Sequence, residues 1–346
     1  MRIGSIAPLA AAALATTFGA GGGAALADAK QRISGPHVHA NLAIYFIHGP
    51  SAPGPVPLTL TEAVAKGLVQ VIETGHVNEL KIENKGGEEV FIQAGDMVKG
   101  GRQDRVLMVS LLLPPRSGLV SIAAFCVEPG RWSARGSEDP TRFASASETI
   151  PSRKALIIMA APPSPEAVGP RGADTAERQR QVWGSVAKMQ ADLADGLGTR
   201  VLAPQSVTSL QLSLEHAKLK EAQTAYVTTL QAKAVQESDV IGYVAAINGK
   251  TVSANIYPSN GLFRKMWDKQ LAAVITEAIG EKSAAVAVAP PIAAVQEFLA
   301  AAEKGPARGR ETAAKMFLET RESAHGLYNE ARGPSGGWVH KNYLAK

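Results

Sequence analysis

The chain has 346 residues, 45% of them apolar and 19% charged, with a formal net charge of +5. That is ordinary globular composition, long enough for one large domain or two small ones. The basic excess is slight and dispersed and aromatics make up only 5%, which argues against a nucleic-acid surface of interleaved basic and aromatic residues.

The opening stretch "MRIGSIAPLAAAALATTFGAGGGAALADAK" has the three parts of a secretory signal. Arg2 is a short positive region, Ile6 to Phe18 an apolar one, and "ALA" at 25–27 a small-residue cleavage site before Asp28. The apolar part is too short to serve as a membrane anchor, and nothing later reaches a spanning length. The expectation is a signal peptide over 1–27 and a mature protein that is periplasmic or secreted, with no stable membrane insertion. One cysteine, Cys126, permits no internal disulfide, so an exported chain must rely on its core. Cys126 lies in "LVSIAAFCVE" and reads as a small buried hydrophobe rather than a nucleophile.

"HVH" at 37–39 could set two imidazoles on one strand face, but with no acidic or cysteine partner nearby it reads as a solvated strand. From 40 to 127 the hydrophobic period is mostly two. "NLAIYFI" (41–47), "GLVQVIE" (67–73), "NELKIEN" (78–84), "EEVFIQA" (88–94), "DRVLMVSLLL" (104–113) and "GLVSIAAFCVE" (118–128) read as strands separated by turn residues. "TLTEAVAKG" (59–67) reads as a short helix capped by Thr61 and ended by Gly67. His76 sits in the turn after Glu73 and reads as exposed.

Glycine, serine and proline then dominate, notably in "APPSPEAVGPRG" (161–172). We therefore expect a surface excursion over 133–173. Helical spacing returns at 174–193, with Asp174 and Glu177 as a capping pattern, and again at 213–235. A hairpin follows, "VIGYVAAI-NGK-TVSANIY", turned by Asn248-Gly249. The remainder reads as helices at 260–279 and 292–303 and a strand pair near 313–319 and 337–343. "INGKT" lacks the first glycine of a P-loop, and "GPSGG" has no acid after Ser335 to complete a hydrolase triad. Strand runs followed by helix runs give the expected class: α+β, an antiparallel β-sheet system packed by several long helices, in a single compact domain over 28–346.

Residues 104–113 and 119–128 would form one antiparallel hairpin around "LPPRSGL", which sets Asp104 opposite Glu128. Pro129-Gly130 predicts a type II turn that brings Arg131 back beside Glu128. Gly100-Gly101 predicts a tight reversal before Arg102. The candidate site is therefore Arg102, Gln103, Asp104, Arg105, Glu128, Arg131 and Trp132. As a binding site, its arginines would hold an anion, its carboxylates sugar hydroxyls or a water, and its indole would stack. As a purely structural feature, it would be an ion-pair cluster closing a sheet corner with Trp132 as a lid. No metal or cofactor is implied.

Those residues also carry a resemblance. "LTEAVAKGLVQVIE…VNELKIEN…VFIQAGDMVKGGRQDRVLMVSLLLPP…IAAFCVEPGRW…FRKMW" resembles the ADP-ribosylglycohydrolase- and rhodanese/phosphatase-associated protein domain family from about 40 to 345. It is most specific at Gly95, Gly100, Gly101, Gln103, Asp104, Arg105, Cys126, Glu128, Arg131 and Trp132. The resemblance implies nucleotide or ADP-ribose-like ligands. We expect an exported protein that binds an anionic or sugar-containing small molecule, with no nucleic-acid partner. The alternatives are a hydrolase using Asp104 or Glu128 as acid/base and a structural envelope protein.

Overall fold

The computed structural model describes residues 31–161, 173–282 and 288–346. The expected signal segment 1–27 and almost all of the proline-rich stretch lie outside these residues. Among the described residues, no helix is long and apolar enough to cross a membrane.

The first half of the chain is almost entirely strand. β1 (Arg32–His39), β2 (Leu42–His48) and the two-residue β3 (Leu58–Thr59) lead into α1 (Leu60–Ala65). Thr59, not the expected Thr61, caps α1. Its side chain accepts from the Glu62 N–H while the Glu62 carboxylate accepts from the Thr59 N–H, a reciprocal capping box. β4 (Val69–Glu73), β5 (Glu79–Asn84), β6 (Val90–Ile92), β7 (Asp96–Gly100), β8 (Arg105–Leu107), β9 (Leu111–Leu113) and β10 (Gly118–Cys126) follow.

The expected strand 104–113 is two strands in different sheets. β8 pairs with β7 and β10, whereas β9 pairs with β6. Between them Ser110 turns its hydroxyl to the Ala94 N–H and to the His340 ring, local bonding that competes with a continuous ladder.

The expected excursion is also partly built into the fold. It supplies β11 (Arg142–Thr149) and α2 (Arg153–Ala160). β11 pairs with both β4 and β7 and so closes a six-stranded barrel in the order β10-β5-β4-β11-β7-β8.

The second half holds α3 (Ala173–Leu197), α4 (Leu210–Leu214) and α5 (Ala217–Leu230), the last continued by a 3₁₀ turn. The expected helix 213–235 is thus broken near His216, whose ring caps α5 by accepting from the Lys218 N–H. β12 (Val240–Ile247) and β13 (Lys250–Ile256) form the expected hairpin. Asn248 and Gly249 take φ of 50° and 76° at its turn, as a two-residue type I′ connection requires. α6 (Asn260–Gly280) and α7 (Ile292–Ala302) precede β14 (Ala307–Glu311), β15 (Phe317–Glu322), β16 (Gly326–Arg332) and β17 (Trp338–Ala345). The last two expected strands do not pair with each other, because β16 lies between them.

The protein is α+β, with mixed helices and antiparallel sheets. Its β-structure is not one sheet system under long helices. It comprises the barrel, an eight-stranded sheet ordered β1-β2-β12-β13-β17-β16-β15-β14, and the small sheet β3-β6-β9. β7, β8 and the end of β10 bury both faces, and alternate residues feed different cores. Val98, Leu107 and Ala124 join one cluster with Leu80, Ile82 and Phe143. Their neighbours Met97, Val106 and Phe125 join a second with Phe46 and Tyr243 of the large sheet and Trp267 of α6. This two-sided burial is why these segments read as near-continuous apolar runs.

Candidate functional site

One rim of the barrel gathers the ends of β4, β7 and β10 and the starts of β8 and β11. The chain reaches it through a left-handed pair, Gly100 at φ 118° and Gly101 at φ 54°. A Cβ on Gly101 would lie 2.2 Å from the Phe143 ring, so only glycine combines this backbone with that contact. Gly130, at φ 87°, suits the third position of the expected type II turn. Arg131 then returns 2.6 Å from the Glu128 carboxylate.

All seven expected residues meet at this rim, in a register shifted by one. The ladder ends with Cys126 opposite Arg105, and the Val127 N–H donates to the Asp104 carbonyl. Asp104 therefore faces Val127 rather than Glu128. Glu128 still reaches it, with Oε2 accepting from the Asp104 N–H at 3.0 Å.

Both carboxylates are fully buried, and every oxygen is engaged. Asp104 Oδ1 accepts from the Gly100 N–H at 3.0 Å and from Arg135 at 3.2 Å. Its Oδ2 accepts from Arg135 Nη1 at 3.0 Å and from the Ser209 hydroxyl at 2.8 Å. Glu128 Oε1 accepts from the same Arg135 nitrogen at 3.1 Å.

Arg105 does not pair with either carboxylate. Its Nη1 donates to the Gln103 carbonyl and side chain, and its Nη2 lies 3.4 Å from Glu73 Oε2 at the end of β4. Gln103 in turn donates to the Glu128 carbonyl.

The electrostatics follow from this burial. Desolvation pushes the Asp104 carboxyl up, against the pull of Arg135. Burial also works to raise Glu128, but the Arg131 and Ser206 hydrogen bonds outweigh it and hold Glu128 below the usual range. Burial lowers the Arg105 guanidinium. It would lower Arg135 as well, but Asp104, Glu138 and Glu128 together drive Arg135 up. The Cys126 thiol is raised by burial, as a small core residue's would be, and accepts from the Glu128 N–H.

Reading the sequence missed Arg135, Ser209 and Glu73. Arg135 belongs to the segment taken for an excursion, and Ser209 lies 105 residues from Asp104. Ser209 nevertheless carries a local signal, as a serine before "LQLSL". It caps α4 by accepting from the Leu212 N–H.

Above this closed network lies an open cleft of about 1260 Å³. Its walls are residues 129–138 and 202–208, with Leu212, Glu215 and His216 at one side. Arg131 and Arg135 reach it from the network, and Trp132, 41% exposed, stands at its edge. The guanidinium carbons of Arg102 and Arg105 lie 5.3 and 5.7 Å from the Trp132 ring centre, within cation–π range. Among the described residues, the exposed Arg102 side chain makes no ion pair.

The features define an α+β protein in which a small barrel carries a buried ionic rim beneath a polar cleft. The sequence model of the ARG and Rhodanese-Phosphatase-superfamily-associated Protein domain matches residues 30–344. The chain belongs to that family. No curated protein sequence and no solved structure matches it.

Proposed function

We propose that the protein is an exported binding protein for an anionic or sugar-containing small molecule, taken up in the cleft beside Trp132. The observation that carries this reading is the exposed Trp132 indole at the edge of a cleft of about 1260 Å³, with the Arg102 guanidinium 5.3 Å from its ring centre. That space exceeds the roughly 300–1,000 Å³ of a drug-sized site, so a nucleotide sugar or ADP-ribose-like ligand fits by size. An indole offers a stacking face to a base or a sugar, and a guanidinium pairs bidentately with phosphate or carboxylate.

Asp104 and Glu128 support this site without touching the ligand. They anchor Arg131, which precedes Trp132, and Arg135, three residues after it, and thereby fix the cleft wall. The hydrolase alternative needs one of them to meet water, and both are buried with their oxygens engaged. Proteolytic mapping of the mature N-terminus tests export, with Asp28 expected.

Binding is tested by thermal-shift measurements with ADP-ribose, nucleotide sugars, sugar phosphates and neutral sugars on the wild type and on Arg102→Ala. Stabilisation by a phosphate-bearing member, reduced in Arg102→Ala, supports the reading. A flat response to every compound would favour a structural envelope role.

A further inference from the structure

At the far end of β2 a second cluster has no part in the rim. His48 stands opposite Arg32 on β1 and opposite Val240 on β12, so the side chains of three strands converge there. The His48 ring is 2% exposed, while Arg32, Glu237 and Asp239 are about half exposed. His48 Nδ1 lies 2.8 Å from Asp239 Oδ1 and 3.7 Å from Glu237 Oε2. The three donor atoms all fall within 4.8 Å of one another.

The same Nδ1 also lies 3.0 Å from Arg32 Nη2, and Nε2 lies 2.7 Å from the Ser34 hydroxyl. These partners conflict. With its proton on Nε2, donated to Ser34, the ring turns the Nδ1 lone pair toward Arg32 but also against the Asp239 carboxylate. With a proton on Nδ1, it satisfies Asp239 and opposes the guanidinium N–H groups. No protonation state suits both neighbours. A cation held jointly by Nδ1 and the two carboxylates, in place of the guanidinium, suits the ring and both acids, with the Ser34 hydrogen bond fixing the tautomer from the other side of the ring.

We propose that His48, Glu237 and Asp239 form a binding site for a divalent transition-metal ion, which displaces the Arg32 guanidinium. One imidazole and two carboxylates are a hard-to-borderline donor set of the kind zinc accepts, with the solvent-facing side left for water. Arg32 holds the place of the cation when no metal is bound. It forms ion pairs at 3.0 Å with Glu237 and 3.6 Å with Asp239, and its exposed side chain can swing into solvent.

Competition between guanidinium and metal is what the test exploits. Metal-stripped full-length mature protein is titrated with Zn²⁺ by calorimetry, alongside Asp239→Asn, Glu237→Gln and Arg32→Ala. The expected result is one saturable site, weakened at least about tenfold by Asp239→Asn and by Glu237→Gln. Arg32→Ala should tighten it, because the competing cation is gone. Circular dichroism of each variant separates lost binding from lost folding, and these exposed positions should leave folding intact. Two results would overturn the site: no saturable binding in either wild type or Arg32→Ala, or affinity unchanged by both carboxylate substitutions.

Discussion

Arg135 places one guanidinium nitrogen 3.0 Å from Asp104 and 3.1 Å from Glu128, clamping two carboxylates that are themselves joined through the Asp104 backbone N–H. Removing the arginine takes the close cationic partner from buried Asp104, which keeps Arg131 only at 3.5 Å, while Glu128 keeps Arg131 at 2.6 Å. Arg135→Ala should therefore cost about 3–5 kcal/mol, the range for breaking a buried pair. Asp104→Ala combined with Arg135→Ala should cost less than the sum of the single changes by more than about 0.5 kcal/mol. Urea melts of the four proteins check this. Additive costs would mean that the two side chains do not act together.

The partner of Arg105 supplies a control. Arg105 pairs with Glu73 at 3.4 Å, so Arg105→Met should couple in stability to Glu73→Gln and only weakly to Glu128→Gln. Stronger coupling to Glu128 in the same melts would contradict the observed geometry.

The rim's residues were legible because they are local: Gly100-Gly101, "RQDR" and "EPGRW" each punctuate a strand end. Their true partners were not. Arg135 and Ser209 reach the rim by tertiary packing that no spacing in the sequence encodes. The barrel was hidden for the same reason. β11, "RFASASET", has too few large apolar residues to announce a strand, and it is held by pairing with β4 and β7. The hairpin around Asn248-Gly249 was legible because its turn chemistry is self-contained. The break between β8 and β9 falls within a run of apolar residues, where periodicity carries no mark of a change of sheet.

Glu277 of α6 gives a pH prediction. Burial raises its carboxyl to about 7, with Arg153 opposing and Glu281 adding to the shift. Above its unfolded value of 4.5 the folded state holds the proton that the unfolded chain releases, so stability falls as pH rises through about 7. The effect is on the order of 3 kcal/mol at most across that window. Denaturant midpoints between pH 4.5 and 7.5 should decline in the wild type and flatten in Glu277→Gln. A decline that is equal in both proteins would assign the pH dependence to other groups.

Cys126 is buried within the rim's supporting strand. Native protein should resist a thiol reagent that labels it fully in urea. Cys126→Ala should cost about 2 kcal/mol or less, as a small core truncation does. Rapid labelling of the native fold would show that the strand end is open.

The proposed site divides its labour: the buried charges hold the fold, and Trp132 faces the ligand. Its most direct test sets the melting of Trp132→Ala beside its affinity for ADP-ribose, each relative to wild type. The prediction is a stability change of no more than about 1 kcal/mol, since Trp132 is 41% exposed, with affinity falling at least about tenfold, as for loss of a stacking contact worth about 1–3 kcal/mol. Melting that collapses, or affinity that survives the substitution, would contradict it and return Trp132 to the role of a lid on the ionic rim.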